Sequence, residues 1–477
     1  VKKGNLMLSE GSSGPAVVAL QNQLIGLGFH SGAADGVFGA ATAQAVRDAQ
    51  RRLLLLPDGI VGPRTSAALA AAVARQPPSP TSFYRRFHRE ALDLAARGEA
   101  SLEKLPWLDR GLASSPFRDE PPHYGGRLAT SVPAAALTPY PDPAGSFSPY
   151  PTLAVVPAIL SGREGRGGLE FLSDAVSQAC LCVGSFAADR SLKLRWYGRE
   201  ALSANVQFWS ATKFVAALHL VCQANRRSPG TPIAATRIRA GDGRASQPFP
   251  TLFTDMVSYG KGVARSNAIG LMLKQLRNGG EPDVQSWLRS LSGNPRLTLL
   301  GGYGAPPLFT GAELVGPNGV LVGNRPLPRT RNLVSAYDLV RGLTMLGWHH
   351  QLAPGSRLPG AQWTSLSPLV EGLGHDTARY LDVALERLGL LGAVAEPVIL
   401  SKLGYGAETD DPGIDAFTYV AFASFRDTRT RPARQRCFGL ALRIPTAPDL
   451  ASALRHEARM ATEVTEIVRR VFAEELS

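Results

Sequence analysis

Apolar residues at Val17, Leu20, Leu24 and Leu27, with Gln21 among them, follow the three-and-four spacing of a helix with one buried face. A repeated pattern follows. Ala34-Asp35-Gly36-Val37-Phe38-Gly39-Ala40-Ala41-Thr42 is echoed by Pro57-Asp58-Gly59-Ile60-Val61-Gly62-Pro63-Arg64-Thr65. Each copy leads into a helical stretch, with apolar positions at Ala45 and Val46 or at Ala68 and Leu69. The physics of the repeat is that of a turn. Asp-Gly supplies a side-chain acceptor and a positive-φ residue, and the threonine stands near the helix start. Three short helices around one small core are predicted.

Beyond this module the pattern changes several times. Residues 76–81 read as a Pro-rich linker, and Phe83–Ala96 as an amphipathic helix. From Ser114 to Pro157 the chain is rich in Pro, Gly and Ser, with Tyr140, Phe147 and Tyr150 interspersed. That composition predicts an extended arm wrapped on the next domain, or a spacer. Ala179–Ala187 and Leu192–Tyr197 read as two strands around a turn near Asp189, and Phe214–Gln223 as a strongly apolar helix. Helices and loops are expected over 225–390. Phe417–Phe425 and Cys437–Ile444 read as strands, and Asp449 to Glu474 as a final amphipathic helix.

Composition narrows the classes. The 477 residues predict two or three domains, and 44% apolar with 7% aromatic residues is ordinary globular usage. The net charge of +12 invites a nucleic-acid partner. Yet the basic residues cluster only at Arg226-Arg227 and across Arg426, Arg429, Arg431, Arg434 and Arg436, and no nucleic-acid motif accompanies them. No nucleic-acid partner is expected; a diffuse positive surface suits a polyanionic wall or membrane face equally well. Cys180, Cys182, Cys222 and Cys437 form no disulfide framework or metal-ligand spacing, so buried thiols and no metal or cofactor are expected. No apolar run reaches transmembrane length, and no apolar signal core follows Val1-Lys2-Lys3.

The candidate chemistry lies in Ser210-Ala211-Thr212-Lys213, at the head of the apolar helix. A serine hydroxyl needs a neighbouring base before it becomes a useful nucleophile. A lysine three residues on shares its helical face, and burial favours the neutral amine that a base requires. Ser101-x-x-Lys104 and Ser258-x-x-Lys261 share the spacing but lack the setting of two strands followed by a buried helix. No Gly-x-Ser-x-Gly elbow surrounds Ser210, which excludes the α/β-hydrolase arrangement. His349-His350 and the tryptophans are assigned no role.

The order of elements and Ser210-x-x-Lys213 resemble the penicillin-binding protein and serine β-lactamase superfamily. That resemblance implies a third motif on an edge strand beside the serine, matched here by Lys402-Leu403-Gly404-Tyr405. It further implies that Lys402 supplies positive charge and that the backbone N–H groups of Ser210 and Tyr405 form an oxyanion hole. Gly404 would let a substrate backbone approach. Two departures stand out. Leu403 replaces the family's hydroxyl residue, and the second motif reads either as Ala264-Arg265-Ser266 or, one residue on, as Arg265-Ser266-Asn267. In both registers the usual first hydroxyl is missing; Ser266 or Asn267 substitutes in part, or the pair is only a helix cap. Glu313 invites comparison with the deacylating glutamate of some β-lactamases.

Residues 8–72 resemble the peptidoglycan-binding type 1 domain, through Leu8, Gly11, Gly14, Val17, Leu20-Gln21, Gly28, Asp35-Gly36, Phe38-Gly39, Thr42, Ala45-Val46, Gln50, Asp58-Gly59, Val61-Gly62, Thr65 and Leu69. The expected fold is multi-domain. A small all-α three-helix peptidoglycan-binding module spans 1–75, a linker, short helix and Pro-rich arm span 76–160, and an α/β (α+β) β-lactamase/DD-peptidase-like domain spans 161–477. The last has an antiparallel sheet and a helical subdomain. The implied activity is that of a serine hydrolase or acyltransferase of the periplasm or cell envelope, with peptidoglycan as partner and D-alanyl peptides or β-lactams as substrates. Its candidate site residues are Ser210, Lys213, Ser266, Lys402, Gly404 and Tyr405. Two alternatives stay open: a non-catalytic peptidoglycan-binding protein with a degenerate β-lactamase-like domain, and a β-lactamase-like esterase.

Overall fold

A computed structural model describes residues 7–476 apart from Gly28, 30–33, Leu54, 76–79, Ser131, 133–136, Pro143, 161–165, 203–204, Arg329 and Thr409. The chain divides into two compact units, Val1–Ser79 and Pro80–Ser477. Most of the expected linker, and Gly28 of the module pattern, lie outside the described residues.

The first unit holds three helices, α1 (Pro15–Gly26), α2 (Ala40–Arg52) and α3 (Pro63–Arg75). Val17, Leu20, Leu24, Phe38, Val46, Ala49, Val61 and Leu69 close its core. The two copies of the sequence repeat are two copies of one hydrogen-bonded clamp. Gln21 Nε2 donates to Asp35 Oδ1 (2.8 Å), Val37 O (3.0 Å) and Thr42 Oγ1 (3.1 Å), and its Oε1 accepts from Gly36 N (2.9 Å). Gln50 does the same with Asp58 Oδ1 (2.7 Å), Ile60 O (2.9 Å), Thr65 Oγ1 (3.2 Å) and Gly59 N (2.9 Å). Gly36 and Gly59 have φ of 77° and 79°, the left-handed conformation that glycine adopts without a steric cost. Each buried glutamine amide thus replaces a sheet or helix ladder for its turn.

In the second unit a seven-stranded antiparallel sheet carries the fold. Its long strands are β1 (Gln178–Phe186), β2 (Leu192–Arg199), β3 (Val394–Ala407), β4 (Asp415–Asp427) and β5 (Arg434–Thr446). They run in the order β2-β1-β5-β4-β3, with the short strands Ser148–Pro149 and Arg166–Gly167 beyond β2, so β3 is a free edge. Side chains alternate between two apolar cores. Cys180, Cys182, Val420 and Phe422 face one, while Leu181, Val183, Tyr419 and Ala421 face the other. Burial of both faces explains why these strands read as nearly continuous apolar runs. All four cysteines are buried free thiols.

On the first face lie α5 (Lys213–Arg227), α6 (Phe249–Ser258), α7 (Ser266–Gln275) and α8 (Ala336–Gly347). A Cβ on Gly347 would fall 2.5 Å from the Phe422 ring, and one on Gly439 would fall 2.4 Å from Thr344 Cγ2. Those glycines let α8 lie close against the sheet. The second face is covered by α4 (Pro80–Ala96) and α9 (Leu450–Ala473), in which the Asp449 carboxylate caps Ser452 N.

Two sequence expectations need correction. The segment expected as an extended arm or spacer contains a helix, Pro121–Ala129, started by Pro121 in its first turn and anchored by buried Tyr124 and Leu128. Tyr140, Phe147 and Tyr150 of the same segment are core residues, and the Tyr150 hydroxyl pairs with Thr344 Oγ1 at 2.7 Å. The stretch 225–390, expected as helices and loops, also holds a four-stranded sheet of Arg237–Arg239, Ser246–Pro248, Glu313–Gly316 and Gly319–Val322. Strands of three or four residues are too short for alternation to register.

The glutamine clamps give a testable expectation. Gln50→Ala leaves the buried Gly59 N–H without its acceptor and removes three further bonds. The opening free energy of the module, read from amide exchange in the intact chain, should fall by about 2–4 kcal/mol.

Candidate active site

The site forms where the edge strand β3 meets the turn that precedes α5. Ser210 lies in a 3₁₀ turn, Trp209–Thr212, and the α-helix begins only at Lys213. The expectation that Ser210 opens the α-helix itself is corrected by one turn. Trp209 has φ of 41°, so the backbone is bent sharply just before the serine. Contact with β3 fixes this turn. A Cβ on Gly404 would lie 2.4 Å from Phe208 O, 2.5 Å from Thr418 Oγ1 and 3.0 Å from Ala211 N. A Cβ on Gly406 would lie 2.7 Å from the Trp209 ring, whose Nε1 donates to Ala407 O at 3.2 Å.

Lys213 is fully buried, and its ammonium donates to Ser266 Oγ at 2.8 Å and Asn267 Oδ1 at 2.7 Å. Ser266 Oγ in turn donates to Met256 O at 2.7 Å, so its acceptor side faces the lysine. Both residues of the ambiguous second motif therefore contact the same amine. A Cβ on Gly270, one turn along α7, would lie 3.1 Å from the Lys213 side chain, so this glycine makes room for it. Burial, followed by the charges of Lys402 and Lys274, pushes the Lys213 pKa down to about 6.

Lys402 Nζ lies 3.4 Å from Asp376 Oδ1, and the neighbouring Ser401 hydroxyl donates to Asp376 Oδ2 at 3.0 Å. Burial raises the Asp376 pKa in spite of the Lys402 charge that opposes it. Lys402 Nζ also stands 3.9 Å from the centroid of the Tyr259 ring, and Lys213 Nζ 5.6 Å from it. The two lysines thus converge on one aromatic ring, held by a left-handed cap at the end of α6.

Not every expected residue takes its place through its side chain. The Tyr405 ring stacks on Phe417 across the strand pair and its hydroxyl donates to Asp415 Oδ2 at 2.7 Å, which leaves only its backbone facing the turn region. Leu403, 5% exposed, points into the core on the other face of the sheet. Glu313 is paired with Arg239 in the four-stranded sheet at 2.7 Å. Among the described residues no hydrogen bond joins the Ser210 hydroxyl to either lysine; such bonds are often long before a substrate is bound. Asp376, Tyr259, Tyr303 and Lys274 carried no motif by which the sequence could single them out.

Residues 13–69 match the family model described as putative peptidoglycan binding domain. The chain is 42% identical over 77 residues to the N-acetylmuramoyl-L-alanine amidase CwlL of Bacillus licheniformis, covering 16% of this chain and 21% of that protein. It is 40% identical over 68 residues to a spore cortex-lytic enzyme of Bacillus cereus, covering 14% and 26%. The chain thus spans only a fifth to a quarter of the length of these curated relatives. Among solved structures, the N-terminal domain of SleB shares 38% identity over 15% of this chain and 96% of that one, with a TM-score of 0.15. A β-lactamase from Streptosporangium roseum covers 65% of this chain and 100% of its own, at 13% identity and a TM-score of 0.36. A β-lactamase from Desulfarculus baarsii covers 65% and 94%, at 16% identity and a TM-score of 0.35.

The two glycines on β3 separate backbone from side-chain crowding. Gly404→Ala drives a methyl into the Phe208 carbonyl and should cost about 1–3 kcal/mol in urea unfolding. Gly406→Ala meets only the Trp209 ring, which can swing aside, and should cost less.

Proposed function

We propose that the second unit is a serine acyltransferase or hydrolase of the bacterial cell envelope, brought to its substrate by the peptidoglycan-binding module. Ser210 attacks the carbonyl of a D-alanyl peptide, or of a β-lactam that mimics one. The observation that carries this reading is the Lys213 amine. A neutral lysine has two N–H bonds and one lone pair. Ser266 Oγ and Asn267 Oδ1 take both hydrogens, which leaves the lone pair to receive the serine proton. Bond making between Oγ and the carbonyl carbon, proton transfer to Lys213, departure of the amine with a proton, and attack of water on the ester complete the cycle. Lys402 supplies positive charge across the Tyr259 ring, and the backbone N–H groups of Ser210 and Tyr405 are assigned to the developing oxyanion. No helix among the described residues is long and apolar enough to cross a membrane.

A second reading is favoured by Leu403. Its burial in the opposite core removes the hydroxyl from that strand position, and Thr418 nearby is committed to Phe208 O and Gly404 O. On this reading the unit holds a wall ligand without turning it over.

Fluorescent penicillin and ester probes decide between them. Covalent labelling of the wild type that is lost in Ser210→Ala supports the acyl-enzyme. Absence of any adduct on β-lactam, peptide or ester, with peptidoglycan still bound, favours the second reading. Ester turnover without peptide cleavage assigns an esterase. The pH dependence follows from Lys213. Its amine becomes free as pH rises through about 6, so the labelling rate should climb between roughly pH 5 and 7 and then level off.

A further inference from the structure

Tyr259 lies beside both lysines of the site, yet the chemistry above gives it no task of its own. It ends α6 in the left-handed conformation, with φ of 56° and ψ of 23°. Helices commonly end this way, and glycine takes the conformation without a steric cost. Here Gly260 stands one residue too late, and the strained place goes to an aromatic residue. Side chains of α6 pin the turn that follows. Ser258 Oγ accepts from Gly260 N at 3.2 Å, and Asp255 Oδ2 from Val263 N at 2.6 Å. Backbone strain of this kind persists only where the surroundings hold it, and it gathers at functional sites.

What the strained backbone delivers is a half-buried ring, 3.9 Å from Lys402 Nζ and 5.6 Å from Lys213 Nζ at its centroid. The other partner of Lys402 is Asp376 Oδ1, at 3.4 Å, and the two side chains are 1% and 0% exposed. That distance is long for such a place. An ammonium–carboxylate hydrogen bond closes to about 2.7–2.9 Å, and low-dielectric surroundings strengthen the attraction that closes it. The lysine stem is flexible enough to shorten the gap. Asp376 is held at its second oxygen by Ser401, so the carboxylate stays in place. The Lys402 ammonium is thus shared between a carboxylate and a ring face.

We propose that Tyr259 is a positioning residue for the acylation step: its ring face holds the Lys402 ammonium back from full contact with Asp376, and so keeps that charge beside Lys213. It rests on the reading of Ser210 as the nucleophile. An ion pair in contact shows its surroundings a short dipole, whose field falls off faster than that of a charge set apart. The charge of Lys402 serves a developing oxyanion only as far as the carboxylate leaves it uncancelled. The bland alternative makes the ring a seal on the second core, against which it packs.

A double-mutant cycle in the full chain separates the two. Tyr259→Leu keeps apolar bulk and removes the ring, and Asp376→Asn removes the charge that the ring opposes. The rate of labelling by fluorescent penicillin is measured for the wild type, both single variants and the double variant. Tyr259→Leu should slow labelling about tenfold in the otherwise native chain, and no more than about twofold in the Asp376→Asn background. Tyr259→Phe, which keeps the ring and loses the hydroxyl, should recover most of that rate. In 13Cε-lysine protein, assigned through Lys402→Met, the ε-methylene protons of Lys402 should lie upfield in the wild type and Tyr259→Phe. Tyr259→Leu should lose that ring shift. Equal losses in both backgrounds, or no ring shift in the folded wild type, overturn the proposal in favour of the structural seal. A Phe variant as slow as the Leu variant overturns it in favour of the phenol hydroxyl. Asp376→Ser replaces Asn if that variant does not fold. A wild type that neither penicillin nor an ester ever labels sinks the acyl-enzyme reading and the proposal together, whereas labelling with equal losses sinks the proposal alone.

Discussion

Backbone pressed against backbone at Gly404 is the constraint from which the site follows. The Phe208–Thr212 turn rests on the edge strand so closely that a single methyl has nowhere to go. Because β3 is hydrogen-bonded to β4 along its length, and β4 lies between two cores, the strand cannot yield. The turn is therefore fixed by a strand of the central sheet, and Lys213, the first residue of α5, inherits that placement. A serine on a mobile loop would have to be ordered anew by each substrate, at a cost in conformational entropy. Here that ordering belongs to folding.

The charges around this turn divide into two kinds. Lys402 has a buried carboxylate beside it, and the pair Asp376–Lys402 is tied further through Ser401. Among the described residues, Lys213 and Lys274 have only neutral oxygens and aromatic faces as partners. One lysine is paired with a carboxylate, and another is placed where a proton is held weakly. A chain that buried three lysines with three carboxylates would gain in electrostatic balance and lose that difference.

Much of this was legible in the sequence, for physical reasons that differ by element. The long strands were visible because both faces are buried, and the final helix because its apolar stripe is continuous and Asp449 caps it. The Asp-Gly turns of the module were visible because only a few residue types adopt that backbone. The glutamines that clamp them were present in the pattern, but their hydrogen bonds span up to 21 residues and leave no local signal. The helix at Pro121–Ala129 was hidden by its own composition, since Pro-Pro and Gly-Gly read as extended chain until burial of Tyr124 and Leu128 decides otherwise. At the candidate site, Ser210-x-x-Lys213 was singled out by its spacing and setting. Both registers of the second motif point to one amine, an outcome that spacing alone had left open. Asp376 and Tyr259 reach Lys402 from distant parts of the chain, where no motif connects them.

The paired glutamine clamps of the first unit bear on how that unit tolerates change. Each turn is closed from within its own half, by Gln21 on one side and Gln50 on the other. Phe29 and Leu53, beyond the ends of the first two helices, pack on the same small core, so a change of length at either turn is opposed by lost packing as well as by loop entropy. The module resembles two buckles on one strap, each fastened by its own glutamine.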